Sequence, residues 1–349
     1  MRVVVTGATG NVGTSLLQAL ADEPAVESVV GIARRRPELE LPKTEWAQAD
    51  VASSELVPLF RGADAVVHLA WLIQPTRNRG LLWHANVDGS TRVFRAAADA
   101  GVGALVHASS IGAYSPGPKT RPVDESWPTG GIVTNEYSRY KVEVERRLDR
   151  FERDHPEMRI VRLRPTLIFK RESATGQRRL FAGPFLPRAL LQPGRLPFVP
   201  HIPELVFQAV HSYDAGNAYR LAVVRDVRGA FNIAAPPTLD TTVIAHLLRA
   251  RTLRMSARTA RALAALAWRA RLTPIPASWL DMGLGAPLLD TTRAQTELGW
   301  MPELTGEQAL ADLLDGIRDA AGLPTPPLSP NTSGRARIRE LATGIGKRP

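Results

Sequence analysis

The 349-residue chain contains no cysteine. This excludes a disulfide framework, a cysteine nucleophile, cysteine-ligated zinc and iron–sulfur clusters. No apolar run approaches the roughly 18 residues of a spanning helix, so no integral membrane segment is expected. The opening Met1-Arg2-Val3-Val4-Val5-Thr6-Gly7 lacks the basic flank, apolar stretch and small-residue cleavage site of a secretory signal. The expected compartment is therefore the cytoplasm. The seven histidines show no ligand spacing, and no metal site is expected. Acidic residues are also short, 34 against 44 lysines and arginines, for a net charge of +10. That excess is not spread out. Residues 251–271 hold six arginines and no acid, and the tail from Leu323 holds five basic residues against Glu340. Together they account for the whole excess, and the remaining chain is near neutral, which argues against a nucleic-acid partner. The 251–271 stretch also holds Leu253, Leu263, Leu266 and Trp268. It reads as an amphipathic basic helix, with either a solvated arginine face or a lipid-facing one.

What is present is globular: 44% hydrophobic and 22% charged residues, enough for a sizeable core. Val3–Val5, Val29–Ile32, Ala65–Leu69, Ala104–Ala108 and Met158–Leu163 are short apolar runs separated by helical patterns, including Val87–Ala100 and Thr134–Phe151. Strands buried on both faces by helices have this appearance. The fold class is α/β: a doubly wound (Rossmann) parallel sheet over residues 1–165, with a smaller, mostly helical C-terminal substrate domain. Leu205–Val210 and Ala230–Ile233 are expected to return to the sheet. Residues 166–204 and 235–322 are expected to form the substrate-binding or lid region, and 323–349 a basic, disordered tail.

The first strand runs into Gly7-Ala8-Thr9-Gly10-Asn11-Val12-Gly13, followed at once by a helix over Thr14–Ala21. Gly7 permits the tight turn, Gly10 lets the backbone approach a pyrophosphate, and Gly13 lets helix and strand pack closely. The helix N-terminus then offers N–H groups to the phosphates. The second strand ends Ala33-Arg34-Arg35-Arg36. A free ribose 2′-hydroxyl calls for an acid here and a 2′-phosphate calls for arginine. Arg34 and Arg35 therefore predict NADP, with NAD the alternative, unless these arginines form only a solvated basic turn.

Tyr137 and Lys141 are four apart in the Thr134–Phe151 helix and so address one cleft. A nearby ammonium favours a phenolate and lowers the tyrosine pKa from its ordinary value near 10. Tyr140 is next to Lys141 in sequence and points to another face. Ser109 and Ser110 end the strand before this helix, at the sheet edge that faces the ligand crevice.

These residues resemble the extended short-chain dehydrogenase/reductases, including the NAD-dependent epimerase/dehydratase group. The resemblance is carried by Gly7-x-x-Gly10-x-x-Gly13, Ala49-Asp50-Val51, Val67-His68-Leu69-Ala70 and Asn86-Val87-x-Gly89. Ser109-Ser110, Tyr137-x-x-x-Lys141 with Glu145, Arg164-Pro165 and Leu298-Gly299-Trp300-x-Pro302 extend it to about residue 322. It implies that Tyr137 is the general acid/base, that Lys141 tunes it and holds the nicotinamide ribose, and that Ser110 orients a carbonyl. It places the cofactor against Gly7, Gly10, Asn11, Val12, Gly13, Asp50, Val51, Leu69, Ala70, Trp71, Ser109, Pro165 and Thr166. Asn86 resembles the family's structural asparagine. A homodimer through the helices Val87–Ala100 and Thr134–Phe151 is also implied.

Departures from the family pattern narrow the chemistry. Ile111-Gly112 follow Ser110 where sugar-nucleotide dehydratases carry an Asp-Glu pair. Phe207-Gln208, and the stretch Gly285-Ala286-Pro287 to Leu288-Leu289-Asp290, stand where epimerases carry diphosphate-gripping arginines. Losing those charge-assisted contacts removes the usual anchor for a nucleotide diphosphate, although Arg178, Arg179, Arg188 and Arg195 offer new ones. Trp71, Leu72, Ile73, Phe181, Phe185, Phe198 and Phe207 are expected to line an apolar pocket, or else to fill the core. The reading is an NADP-dependent oxidoreductase acting on the ketone or aldehyde of a largely apolar small molecule. The alternatives are a sugar-nucleotide epimerase and a non-catalytic NADP-responsive binding protein.

Overall fold

The computed structural model describes residues 1–73, 78–181, 188–273 and 275–330, and the side chains of Arg179, Phe181 and Arg188 lie outside the description. Seven strands form one parallel sheet: β1 Arg2–Thr6, β2 Ser28–Ala33, β3 Thr44–Gln48, β4 Ala65–His68, β5 Ala104–Ala108, β6 Arg159–Pro165 and β7 Gly229–Ile233. Their order is β7-β6-β5-β4-β1-β2-β3. β1 pairs with both β2 and β4, so the chain reverses direction across the sheet there. Ligands of such sheets bind at the carboxyl ends of the strands, at this switch point.

The sheet is held from both faces. Val3 and Val5 belong to one buried cluster with Leu16, Leu17, Tyr219 and Phe231. Val4, between them, belongs to the other, with Phe94, Leu105, Leu148 and Ile160. Period-two alternation thus feeds two cores, and each fully buried side chain contributes about 1.5–3 kcal/mol. The first cluster is covered by α1 Asn11–Ala21 and by a helix over Ser212–Val224, which the Ser15 and Ser212 hydroxyls link at 2.9 Å. The second is covered by α2 Gly89–Asp99 and α3 Glu136–Asp154. α3 starts where Asn135 accepts the Ser138 N–H through its side chain at 2.9 Å.

β3 escapes the sequence reading, because Thr-Glu-Trp-Ala-Gln is an edge strand, with no residue fully buried and no apolar run. The expected return of Leu205–Val210 to the main sheet is corrected. Phe207–His211 pairs instead with Leu167–Phe169 and Ala235–Leu239 in a separate three-stranded sheet. β7 occupies the position beside β6 and is the terminal strand of the main sheet. This second sheet has its own core, in which Phe169, Ala209 and Leu239 meet Leu310 and Leu313 of the helix Gly306–Asp319. Among the described residues, no helix is long and apolar enough to cross a membrane.

The expectation of a free tail from Leu323 is also corrected for its first residues; 331–349 lie outside the described ones. Thr325 is 1% exposed and Leu328 is 4% exposed. The Thr325 hydroxyl donates to the Thr9 carbonyl, in the glycine turn, at 3.0 Å. Proline- and serine-rich composition concealed a segment that gains its order by packing on another part of the chain. Thr325→Val keeps the shape and removes that donor. The expected loss of stability is about 1–3 kcal/mol for a buried carbonyl left unpaired. Urea unfolding measures it, and an unchanged midpoint would show that the segment docks without this bond.

Candidate active site

The glycine turn follows β1 directly. Gly7 has φ +73°, and a Cβ there would stand 2.7 Å from the Ala70 backbone nitrogen. A Cβ at Gly13 would collide with the Gly7 carbonyl oxygen. The turn is closed by Gly10 N–H donating to the Gly7 carbonyl at 3.0 Å. Asn11, Val12 and Gly13 open α1, where first-turn N–H groups have no intrahelical acceptor. Asn11 donates to the Ile168 carbonyl at 3.0 Å, while its Oδ1 is buried without a partner. Lys170 stands beside the same helix end, 1% exposed, donating to Thr14 Oγ1 at 2.7 Å and Ser15 Oγ at 3.0 Å. Burial pulls its pKa down to about 8. Sequence reading missed this lysine, which no motif marks.

Arg34, Arg35 and Arg36 are exposed where β2 ends, next to the turn, since the Gly7 and Ala8 N–H groups both donate to Ile32. Asp50 is partly engaged by its own turn, accepting the Ala52 N–H at 2.9 Å, and Val51 is packed near Gly89. Leu69 and Ala70 are hung from Thr6 by their N–H groups at 3.0 and 3.4 Å. Asn86 grips the next residues: its amide accepts from the Leu72 N–H at 2.6 Å and donates to the Leu72 carbonyl at 3.0 Å. Its role is to fix the strand end that presents Trp71.

Ser110, Tyr137 and Lys141 come together at the carboxyl end of β5. The Ser110 hydroxyl acts on the Tyr137 phenol, lowering its pKa, and it accepts the Gly112 N–H at 3.0 Å. A Cβ on Gly112 would meet the Tyr137 ring at 2.9 Å, so glycine lets the ring lie flat there. Tyr140 faces away: it is 7% exposed and edge-on to Trp83 at 5.6 Å. Ser109 is turned to the buried Glu145, which also takes two bonds from Arg164, at 2.9 and 2.6 Å. Arg164 continues to Tyr114 Oη at 3.0 Å, and that phenol donates to Asn232 at 2.6 Å. This network ties α3 to β6 and β7 and fixes where the helix stands. Pro165 and Thr166 are buried just beyond Arg164, with the Thr166 N–H donating to Ile233 at 3.0 Å.

Lys141 is 3% exposed and, among the described residues, has no carboxylate in contact. Its ammonium donates to the Ala108 carbonyl at 2.7 Å and lies 3.4 Å from the centre of the Trp71 ring. Burial pulls its pKa down to about 7, with Glu145 opposing. Burial pushes Tyr137 up to about 12, against the Ser110 hydroxyl. The Lys141 Nζ lies over the tyrosine ring at 5.8 Å from its centre, and the indole is edge-on to the same ring. The Trp71 Nε1 is buried without an acceptor.

The pocket wall differs from the expected one. Trp71 is in place, edge-on to Tyr137 at 5.9 Å. Leu72 is in the second core, Ile73 is 37% exposed, and Phe198 and Phe207 belong to the smaller sheets. Phe185 and the Phe181 side chain lie outside the described residues. The wall sequence reading missed is α-helical: Trp279, tilted over Tyr137 at 5.5 Å, and Met282, near Gly112. Both sit on the helix Ser278–Gly285, which Asn135 fastens by donating to the Ser278 carbonyl at 3.1 Å. No local pattern announces a lone tryptophan brought there by tertiary packing. Of the four arginines proposed for a phosphate, Arg195 is exposed and Arg178 lines a small cavity with Gly316, Ile317 and Pro330. The side chains of Arg179 and Arg188 lie outside the described residues.

The family model for the NAD dependent epimerase/dehydratase family matches residues 3–196. The chain belongs to that family, whose enzymes depend on NAD(P). It is 28% identical over 326 residues, 93% of its own length, to the uncharacterized protein Rv2047c of Mycobacterium tuberculosis, of which it spans 31%. It is 34% identical over 109 residues to L-arabinose 1-dehydrogenase (NAD(P)(+)) of Haloferax volcanii, covering 31% of this chain and 41% of that one. Among solved structures, a Thermus thermophilus UDP-glucose 4-epimerase complex with NAD matches with a TM-score of 0.68 at 19% identity. That match covers 92% of this chain and 100% of the other, and it shows the shared fold.

Lys141 gives a pH-dependent signature. Its folded value is depressed below the ordinary lysine value of roughly 10.4, so between the two the unfolded chain binds more protons and stability rises with pH. The cost of burying the charge is fully present below about pH 7. Lys141→Met removes it, so the variant's stability relative to the parent should be most favourable below pH 7 and decline toward pH 10. Denaturation across that range checks the slope; a pH-independent difference would mean the amine is not held as described.

Proposed function

We propose that the chain is an NADP-dependent oxidoreductase of the extended short-chain type, acting reversibly on the carbonyl of a largely apolar small molecule. The observation that carries this reading is the wall around Tyr137: Trp71, Trp279 and Met282, with the Ser110 hydroxyl acting on the phenol. Among the described residues, no carboxylate or arginine is paired with Tyr137. Such a wall suits a flat or apolar carbonyl and gives a nucleotide diphosphate nothing charged to hold. The Haloferax L-arabinose 1-dehydrogenase, similar over about a third of the chain, belongs to the same class of oxidoreductase.

The residues fit a dinucleotide on physical grounds. Glycines leave the turn open to phosphates, Asn11 Oδ1 and Trp71 Nε1 are buried polar atoms without partners, and exposed arginines stand where a 2′-phosphate would be met. Bound NADP supplies the hydride. Ser110 orients the substrate carbonyl, and Tyr137 gives its phenolic proton to that oxygen as C=O becomes CH–OH. The same phenol takes the proton back in the oxidation direction. The resulting phenolate needs a cation, which Lys141 provides once the indole no longer covers it. Residues 235–322, which bring Trp279 and Met282, act as the substrate-binding region, and the cofactor binds at the 1–165 sheet.

Tyr137→Phe should lower kcat at least about a hundredfold, the scale of a lost general acid, while cofactor affinity holds. Unchanged turnover of an identified carbonyl substrate would remove the assigned role. In the same assays the parent should prefer NADPH to NADH, and Arg34→Ala/Arg35→Ala should erase the preference; tighter NADH binding by the parent would overturn it. A homodimer through α2 and α3 belongs to this reading. Light scattering should give twice the 38.0 kDa chain mass, and a 38.0 kDa species alone would refute it.

A further inference from the structure

From Thr241 to Leu280 the chain carries seven arginines and no aspartate or glutamate. A helix over Ala257–Arg269 lies in the middle of this stretch, capped by Ser256 accepting the Thr259 N–H at 3.1 Å. None of its residues is buried. Ala257, Ala260, Ala264 and Ala267 recur at helical spacing and are half-buried, so this face rests on the protein. The opposite face presents Arg258, Ala262, Leu263, Leu266 and Arg269, all exposed. Leu263 is 51% and Leu266 64% exposed, and Leu253 and Leu272 on either side are 55% and 54% exposed. A single exposed leucine is ordinary. Four within twenty residues, on an arginine-rich and acid-free background, form a surface that is apolar and basic at once.

Charge selects the occupant. A second copy would set arginine against arginine. Residues 331–349 of the same chain carry Arg335, Arg337, Arg339, Lys347 and Arg348 against one acid, and would be repelled as well. Among the described residues, Arg261 is the one arginine of the seven in an ion pair, bidentate to Asp281 at 2.7 and 3.1 Å. The partner must therefore be anionic and also take up leucines. On the outward helix face Leu263 and Leu266 lie together toward one side, with Arg258 and Arg269 beside them. An in-plane interfacial helix has this arrangement, whereas an acidic protein would need a groove to receive it.

We propose that this helix and its flanks are a peripheral docking surface for anionic lipid bilayers. Leu263 and Leu266 enter the headgroup–acyl boundary, and Arg258 and Arg269 meet the headgroup phosphates. The Arg261–Asp281 pair joins the helix to Ser278–Gly285, whose Trp279 covers Tyr137. A docked bilayer thus lies against the element that walls the pocket, a direct route for an apolar substrate. The docking itself does not depend on the reaction, and stands or falls separately from it.

The test is co-sedimentation of the full chain with vesicles of phosphatidylcholine alone and of phosphatidylcholine with one-third phosphatidylglycerol. The parent should bind the anionic vesicles and be released by 0.5 M salt, as charge-driven binding requires (~3–5 Å screening length). Arg258→Gln/Arg269→Gln should weaken binding about 25-fold, from about fivefold per arginine near an anionic leaflet. Leu263→Asp/Leu266→Asp should abolish it. Circular dichroism and NADPH binding confirm that both variants are folded. Equal binding to neutral vesicles, no binding to anionic ones, or variants that bind like the parent would overturn the proposal. Capture by immobilised polyglutamate without vesicle binding would also overturn it, reassigning the surface to an acidic protein.

Discussion

A buried ammonium without a carboxylate is the constraint around which the site is organised. Lys141 is held by one carbonyl and one indole face, in place of the anion that usually accompanies a buried charge. Everything that positions it is stiff. Glu145 and Arg164 lock α3 to β6, Asn86 fixes the strand end bearing Trp71, and Asn135 pins the start of α3 to the helix bearing Trp279. The amine thus has few ways to relieve its desolvation. It can lose its proton, or it can exchange the indole for a better polar partner. On the proposed reading the ribose hydroxyls of the cofactor are such a partner.

The parts of this site legible in the sequence are those whose chemistry is local. The glycine turn is readable because turn, phosphate approach and helix packing each need a missing side chain within seven residues. Tyr137 and Lys141 are readable because helical spacing alone puts them on one face. The pocket wall is not readable, because Trp279 reaches Tyr137 from about 140 residues away with no motif of its own. Aromatics in the Pro- and Gly-rich middle segment draw attention by composition, yet Phe198 and Phe207 go to small sheets. β3 hides behind polar residues because an edge strand needs only one apolar face. Thr325 hides in a segment whose composition resembles disorder, since a single buried hydroxyl bond leaves no periodic trace.

The charge distribution has the same logic on a larger scale. Most of the chain is near neutral, and three arginines of the excess, Arg258, Arg261 and Arg269, stand on a helix with no fully buried residue. The ion pair between Arg261 and Asp281 makes that helix and the pocket wall neighbours rather than independent ornaments of the fold.

The account rests on the claim that a nicotinamide dinucleotide takes the indole's place over the buried amine. A crystal structure with NADPH bound tests it most directly. The account predicts phosphates against the amides of Asn11 and Val12, Trp71 moved off Lys141, and the amine bonded to the ribose with Tyr137 Oη facing the nicotinamide. An indole still lying over the amine, with the nicotinamide beyond reach of that phenol, would contradict it.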